Sequence, residues 1–243
     1  MKKWIIAALV LLVLGVVGYV KRYDIYNYGR GLVLDKKSTT LAPASGSDVL
    51  WGIDISHHQP RVDWDALAEH NKPDFIFLKC SEGRTHKDTK YATYKQEANK
   101  RGIVTGAYHF FSYQSPGKDQ ALHFIQHANL KDGDLIPVLD IEYKKNRPGN
   151  AAIRKEVRAF CAVIREEYGV NPIIYCEYSY YNNILKSEFA DYHYWICDFS
   201  GEPTKDYVFW QYTDRGEVKG IGKVDNNRMK KGLSIEAFLL GNS

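Results

Sequence analysis

Asp140 and Glu142 stand two residues apart at the end of an apolar run, Pro137-Val-Leu-Asp-Ile-Glu142. In an extended strand such a pair faces one side, with Ile141 on the other. Two carboxyls this close repel when both are ionised, so one of them holds its proton to higher pH. A protonated carboxyl beside an ionised one is what glycoside hydrolysis needs: an acid for the leaving oxygen and an anion against the positive charge that develops. Two more acids are placed like this pair, Asp54 in Trp51-Gly-Ile-Asp-Ile-Ser56 and Asp225 after Gly222-Lys-Val. A lone Asp-x-Glu more often caps a strand with solvated charge. Three acidic signals in matching positions outweigh that reading.

The other candidates are weaker. Sugar rings stack their C–H faces on aromatic side chains, and Tyr108, Tyr175 and Trp210 fall near strand ends, where a glycan cleft would use them. Aromatics also fill barrel cores. His57-His58 lies close to Asp54, but adjacent strand residues point to opposite sides and no other histidine has ligand spacing to them. They read as loop or supporting residues, and neither a metal nor a cofactor is expected. Cys161 lies on a buried helix face, and Cys80, Cys176 and Cys197 each lie in a strand candidate. Free buried thiols are expected.

The elements that must position these acids alternate. Strand candidates are Leu50–Ile55, Phe75–Cys80, Ile103–Phe110, Leu135–Ile141 and Pro172–Cys176, then Tyr194–Cys197 and Val208–Tyr212. Helical patterns run over Asp63–Asn71, over Tyr91–Arg101, from Ser115-Pro116 to about Ala128, and from Asn150 to Gly169. Ser115 is the expected N-cap and Pro116 the first helical residue. In the last helix Ile153, Val157, Phe160, Cys161, Ile164 and Tyr168 share one face. Repeated strand–helix units predict an α/β fold, a parallel sheet wrapped by helices. The count suits a single (β/α) barrel of TIM-like type, and the helix-poor final third predicts an incomplete or flattened one.

The chain of 243 residues is 44% hydrophobic and 26% charged, an ordinary globular composition. Residues 1–47 hold seven Lys or Arg against two Asp, while the rest carries 26 basic and 27 acidic side chains. A near-neutral body excludes nucleic acid as an expected partner. Lys2-Lys3, an apolar run from Trp4 to Val20, and Lys21-Arg22 predict a signal anchor or signal peptide over residues 1–20. Residues 21–47 read as a linker, and 48–243 as one catalytic domain, acting as a monomer. The domain is expected outside the cytoplasm, held at the membrane by the N-terminal segment or secreted.

Six ordered blocks carry a resemblance: Gly52-Ile-Asp-Ile-Ser56, Lys79-Cys-Ser-Glu-Gly83, Gly106-Ala-Tyr-His-Phe110, Pro137-Val-Leu-Asp-Ile-Glu142, Trp210-Gln-Tyr212 and Val224-Asp225. Together they resemble glycoside hydrolase family 25, the N-acetylmuramidase lysozymes, over about residues 50–240. The resemblance implies a flattened, partly irregular α/β barrel. It also implies cleavage of the β-1,4 bond between N-acetylmuramic acid and N-acetylglucosamine in peptidoglycan. On it, Glu142 matches the general acid/base and Asp140 the carboxylate that steers the substrate's N-acetyl group. Asp54 and Asp225 match two further cleft acids, and Lys79 and Glu82 the charged pair of their block. Cys80-Ser81 departs from the usual Ala-Thr, and Tyr194-Trp-Ile-Cys-Asp198 from the usual Trp-x-Ala-x-Tyr. Two other classes compete: a non-catalytic peptidoglycan-binding module, and a chitinase-like N-acetylhexosamine glycosidase. The four acids speak against the first. Apolar Leu135–Leu139, where the second carries an acidic ladder, speaks against that one.

Overall fold

Short apolar runs become strands and period-3.6 patterns become helices in the computed structural model, which describes residues 49–242. In chain order these are β1 (Trp51–Ile55), α1 (Trp64–Asn71), β2 (Phe75–Glu82), β3 (His86–Lys87), α2 (Tyr91–Lys100), β4 (Val104–Phe110) and α3 (Gly117–Ala128). Then come β5 (Val138–Asp140), α4 (Asn150–Tyr168), β6 (Ile173–Glu177), α5 (Tyr178–Tyr180, continued by a π turn at Tyr181–Leu185), β7 (Tyr194–Cys197), β8 (Phe209–Val218) and β9 (Gly222–Met229). The apolar N-terminal run and the linker lie outside the described residues. Among the described residues no helix is long and apolar enough to cross a membrane.

β1, β2, β4, β5, β6, β7 and β8 lie side by side in parallel, and β9 runs antiparallel between β8 and β1. The barrel therefore closes, so the expected α/β barrel holds and, of the two forms expected for it, the incomplete one is excluded. The helix-poor final third closes it differently. An antiparallel strand can return through a short turn, so β8 and β9 pair without an intervening helix. β3 pairs with the end of β2.

Alternation along each strand divides the apolar residues into two layers. Outward residues such as Ile53, Leu78, Leu139, Ile174 and Ile196 pack beneath the helices, α4 contributing Ile153, Val157, Phe160 and Ile164. Inward residues fill the barrel: Phe77 stacks on Trp195 at 4.4 Å between centroids, and Phe209 lies 4.9 Å from Phe75 and 5.0 Å from Phe77. Room for these rings comes from two glycines. A Cβ on Gly52 would lie 2.4 Å from the Phe75 ring, and one on Gly106 2.6 Å from that of Phe77. This aromatic plug is the floor on which the site is built.

Helix ends follow the local chemistry with one correction. Asp63 caps α1, its carboxylate accepting from Ala66 N–H at 2.9 Å. α4 stops at Gly169, whose φ of 74° suits a residue without a side chain. In α3, however, Pro116 rather than Ser115 is the N-cap. Helix α4 supplies what a capping serine would: the Gly117 N–H donates to Glu156 Oε2 at 2.8 Å.

Candidate active site

All four acids named from the sequence converge on one cavity of about 550 Å³ at the C-terminal mouth of the parallel strands. Tyr108, Tyr175, Lys79 and Glu82 line it as well. Trp210 does not. Its neighbours Phe209 and Gln211 point into the barrel, so Trp210 points out. There its indole N–H donates to the Asp198 carbonyl at 2.8 Å. Trp195 takes the inward place on the neighbouring strand.

Asp54 and Asp225 face each other across the β1–β9 pair, a register that sets side chains about 5 Å apart on one face. Asp54 Oδ2 accepts from Asn227 Nδ2 at 2.8 Å and from Gln211 Nε2 at 3.0 Å. Both amides are oriented from behind. Trp195 Nε1–H, which can only donate, bonds Asn227 Oδ1 at 2.8 Å, and Tyr175 O–H donates to Gln211 Oε1 at 2.8 Å. The amino groups must then turn to Asp54. Burial still raises the Asp54 pKa in spite of these donors. Burial, then the charge of Asp54, pushes Asp225 up to about 9. Asp225 is therefore protonated at neutral pH and shares its proton with Asp54.

This pair has a cost that can be measured. A carboxyl with a raised folded pKa binds a proton that the unfolded chain gives up, so its penalty is absent below about pH 4 and grows toward the folded value of about 9. Asp225→Asn keeps a donor for Asp54 and removes the penalty. It should stabilise the fold at pH 7 by about 1–3 kcal/mol, with little effect at pH 4, while impairing turnover. Thermal melts of both proteins at the two pH values test this; an equal gain at both would exclude the linkage.

Asp140 ends β5 and Glu142 follows one residue on. The Asp140 pKa is well above the usual carboxylate range because of burial, then the charges of Glu142 and Asp54. Glu142 is raised by burial and then by Glu177. Each therefore keeps its proton to higher pH than an ordinary carboxyl does, and their mutual repulsion favours the state in which the pair shares one proton. Asp140 is only 6% exposed, and its Oδ1 is buried with no hydrogen-bond partner among the described residues. Glu142 is half-buried, its main-chain carbonyl fixed by the Tyr113 hydroxyl at 2.6 Å.

Opposite lies a positive rim. A β-bulge between Lys79 and Ser81 turns both Lys79 and Glu82 into the cavity, although they are three residues apart. Their ion pair measures 2.7 Å. Burial opposes the Glu82 charge, but the hydrogen bond and charge of Lys79 hold its pKa below the ordinary value. Lys79 and Lys144 both lie over the Phe110 ring, at 4.6 and 4.2 Å. Ser81, one of the departures in this block, bonds His109 Nδ1 at 2.9 Å on the outer face. His109 Nε2 must donate to Gln120 Oε1, because Gln120 spends its amino group on two carbonyls. Burial drives the His109 pKa to about 3, so it stays neutral and pins the loop above β4.

His57 Nδ1 lies 2.7 Å from the buried Asp88 carboxylate, and His58 borders the cavity. Among the described residues no group of His, Cys, Asp or Glu is arranged to hold a metal ion. The four cysteines are unpaired; Cys80, Cys161 and Cys176 are buried, and Cys197 reaches the cavity.

Asn227 and Glu177 are site residues that no motif contained; Gln211 and Phe110 stood inside quoted blocks, and Trp195 in a strand candidate, without a role assigned. Period-2 spacing was the available signal: Asn227 follows Asp225 by two, and Glu177 follows Tyr175 by two.

The family model described as glycosyl hydrolases family 25 matches residues 53–221. The chain belongs to this family. It is a glycoside hydrolase of the lysozyme and muramidase kind. It is similar to YegX of Escherichia coli (strain K12), 33% identical over 205 residues that make up 80% of this chain and 75% of that one. Lysozyme M1 of Streptomyces globisporus is 29% identical over 235 residues, 88% of this chain and 78% of its own. Among solved structures, a family 25 glycosyl hydrolase from Bacillus anthracis superposes with a TM-score of 0.75 at 26% identity, covering 84% of this chain and 100% of that one.

Proposed function

We propose that this muramidase cuts the β-1,4 bond between N-acetylmuramic acid and N-acetylglucosamine with Glu142 as general acid and base and Asp140 as the partner of the substrate's acetamido group. The observation that carries this division of labour is the unpartnered, buried Oδ1 of Asp140 beside a more accessible Glu142. A buried acceptor without a donor is costly, and an acetamido N–H would supply one. That donor favours the charged form of Asp140, which leaves the shared proton on Glu142, where the leaving oxygen can take it. Tyr108, Tyr175, Trp195 and Phe110 offer ring faces for sugars along the cavity. Purified peptidoglycan, digested and then reduced with borohydride, should yield muramitol at the new ends. Glucosaminitol, or no release, would refute the assignment.

Residues 1–20 would hold the domain at the membrane, with residues 21–47 as the tether and the cleft facing the wall. The charged flanks and apolar run of the sequence support this. The protein should then stay with membranes through salt and carbonate washes; a soluble form beginning near Tyr19 would instead mark a cleaved signal. We take the acting form to be a monomer.

A further inference from the structure

Glu177, the last residue of β6, is placed by register rather than by any motif. Asp140 pairs with Tyr175 across β5 and β6, and the ladder runs one step further, with Ile141 N–H donating to the Tyr175 carbonyl at 3.0 Å. Parallel strands advance together about 4.8 Å apart, so position 142 lies beside position 177. Residues two apart share a face, and Asp140, Glu142, Tyr175 and Glu177 all line the cavity. On its other side Glu177 pairs with Cys197. Its side chain accepts a hydrogen bond from the neutral Ser179 hydroxyl at 3.3 Å.

We propose that Glu177 is a positioning residue for the acid: its charge, set laterally against Glu142 and only diagonally to Asp140, biases the proton shared by those two toward Glu142. The inference rests on the assignment of Glu142 as the acid. Other charges face Glu142 as well: Asp140 from its own strand end, Asp54 from β1, Asp225 from β9, Lys79 from β2 and Lys144 from the following loop. Tyr113, Tyr175 and the Cys197 thiol are kept neutral by burial. Asp54 acts on both members of the pair, so it does not sort the proton. Lys79 is committed to Glu82, and Lys144 to the Phe110 face. Burial raises the Glu142 pKa, and the Glu177 charge acts in the same direction. Its position is the one from which a charge tells the two carboxyls apart.

The test compares the full-length protein with Glu177→Gln and Glu177→Asp, scoring kcat and KM against pH by release of reducing ends from peptidoglycan. In parallel, the Glu142 carboxyl is titrated by carbon-13 NMR on glutamate-labelled protein, its resonance assigned by loss in Glu142→Gln. Removing a neighbouring negative charge lets Glu142 lose its proton at lower pH. In Glu177→Gln the alkaline limb and the Glu142 titration should both move down by about one pH unit. That is a loss of about tenfold on the alkaline side, with the acid side nearly unchanged. Glu177→Asp, which keeps the charge, should restore most of the limb. An unmoved limb and an unmoved titration, or a raised KM with an unmoved limb, would overturn the proposal. If Glu142→Gln retains turnover, the acid assignment fails separately, while the titration still reports whether Glu177 acts on Glu142.

Discussion

Glu142→Gln should lose at least about a hundredfold in the release of reducing ends from peptidoglycan, since general acid catalysis typically contributes ~10²–10⁴-fold. The substitution keeps the size of the side chain and its capacity to accept a hydrogen bond. It removes the proton. The main chain at this position is held by the Tyr113 hydroxyl on the Glu142 carbonyl, so the variant should fold and retain binding to insoluble peptidoglycan. Asp140 cannot take over. It lies deeper, at 6% exposure, and on the proposed route it is the charged partner of the acetamido N–H. Turnover, melting temperature and sedimentation with walls, measured on one preparation, separate loss of chemistry from loss of fold. Near-normal turnover would remove Glu142 from the role.

Much of this site could be read from residue spacing, and the rest depended on information that spacing does not carry. Asp140 and Glu142 are local: strand alternation alone places them on one face. That Asp54 and Asp225 meet is not local. It follows from β9 running backwards beside β1, and a strand as polar as Gly222–Met229 lacks the apolar run that marks a buried strand. The same omission made the barrel look incomplete. Trp210 shows the other limit. Its type suggests a sugar platform, but one residue of register sends it outward and brings Gln211 in. The sheet, not the aromatic content, chooses Trp195. Gly52 and Gly106 are easily taken for loop signals, yet they are strand residues whose missing side chains admit Phe75 and Phe77. The departure at Ser81 became intelligible only with its partner, since the histidine it bonds lies on the next strand of the barrel.

Peptidoglycan de-N-acetylated at muramic acid should be cleaved at least ~100-fold more slowly than the native polymer, even where it still binds, because an intramolecular nucleophile supplies a large effective concentration. Displacement with retention needs a nucleophile on the face opposite the leaving oxygen. Asp140 and Glu142 come from one strand end and approach the sugar from nearly the same direction, so they do not flank the anomeric carbon. The acids that come from elsewhere are already engaged. Asp54 Oδ2 holds two amide donors, and Asp225, with its pKa pushed up to about 9, holds a proton. On the route proposed above, the substrate's own acetamido oxygen fills the vacancy. It attacks the anomeric carbon as the bond to the leaving oxygen breaks, and that oxygen takes the proton of Glu142. The cyclic cation that forms keeps its N–H on Asp140, whose charge balances it. Glu142, now ionised, takes a proton from the water that opens the ring, and the β-configuration is retained. Without the acetyl group there is an ammonium where the nucleophile should be, and Asp140 pairs with a charge that repels the developing cation. Proton NMR of the first products should show the β-anomer from native polymer. Efficient cleavage of the de-N-acetylated polymer, or a glycosyl ester trapped on Asp54, Asp140, Glu142 or Asp225, would overturn this route and return the nucleophile to the enzyme.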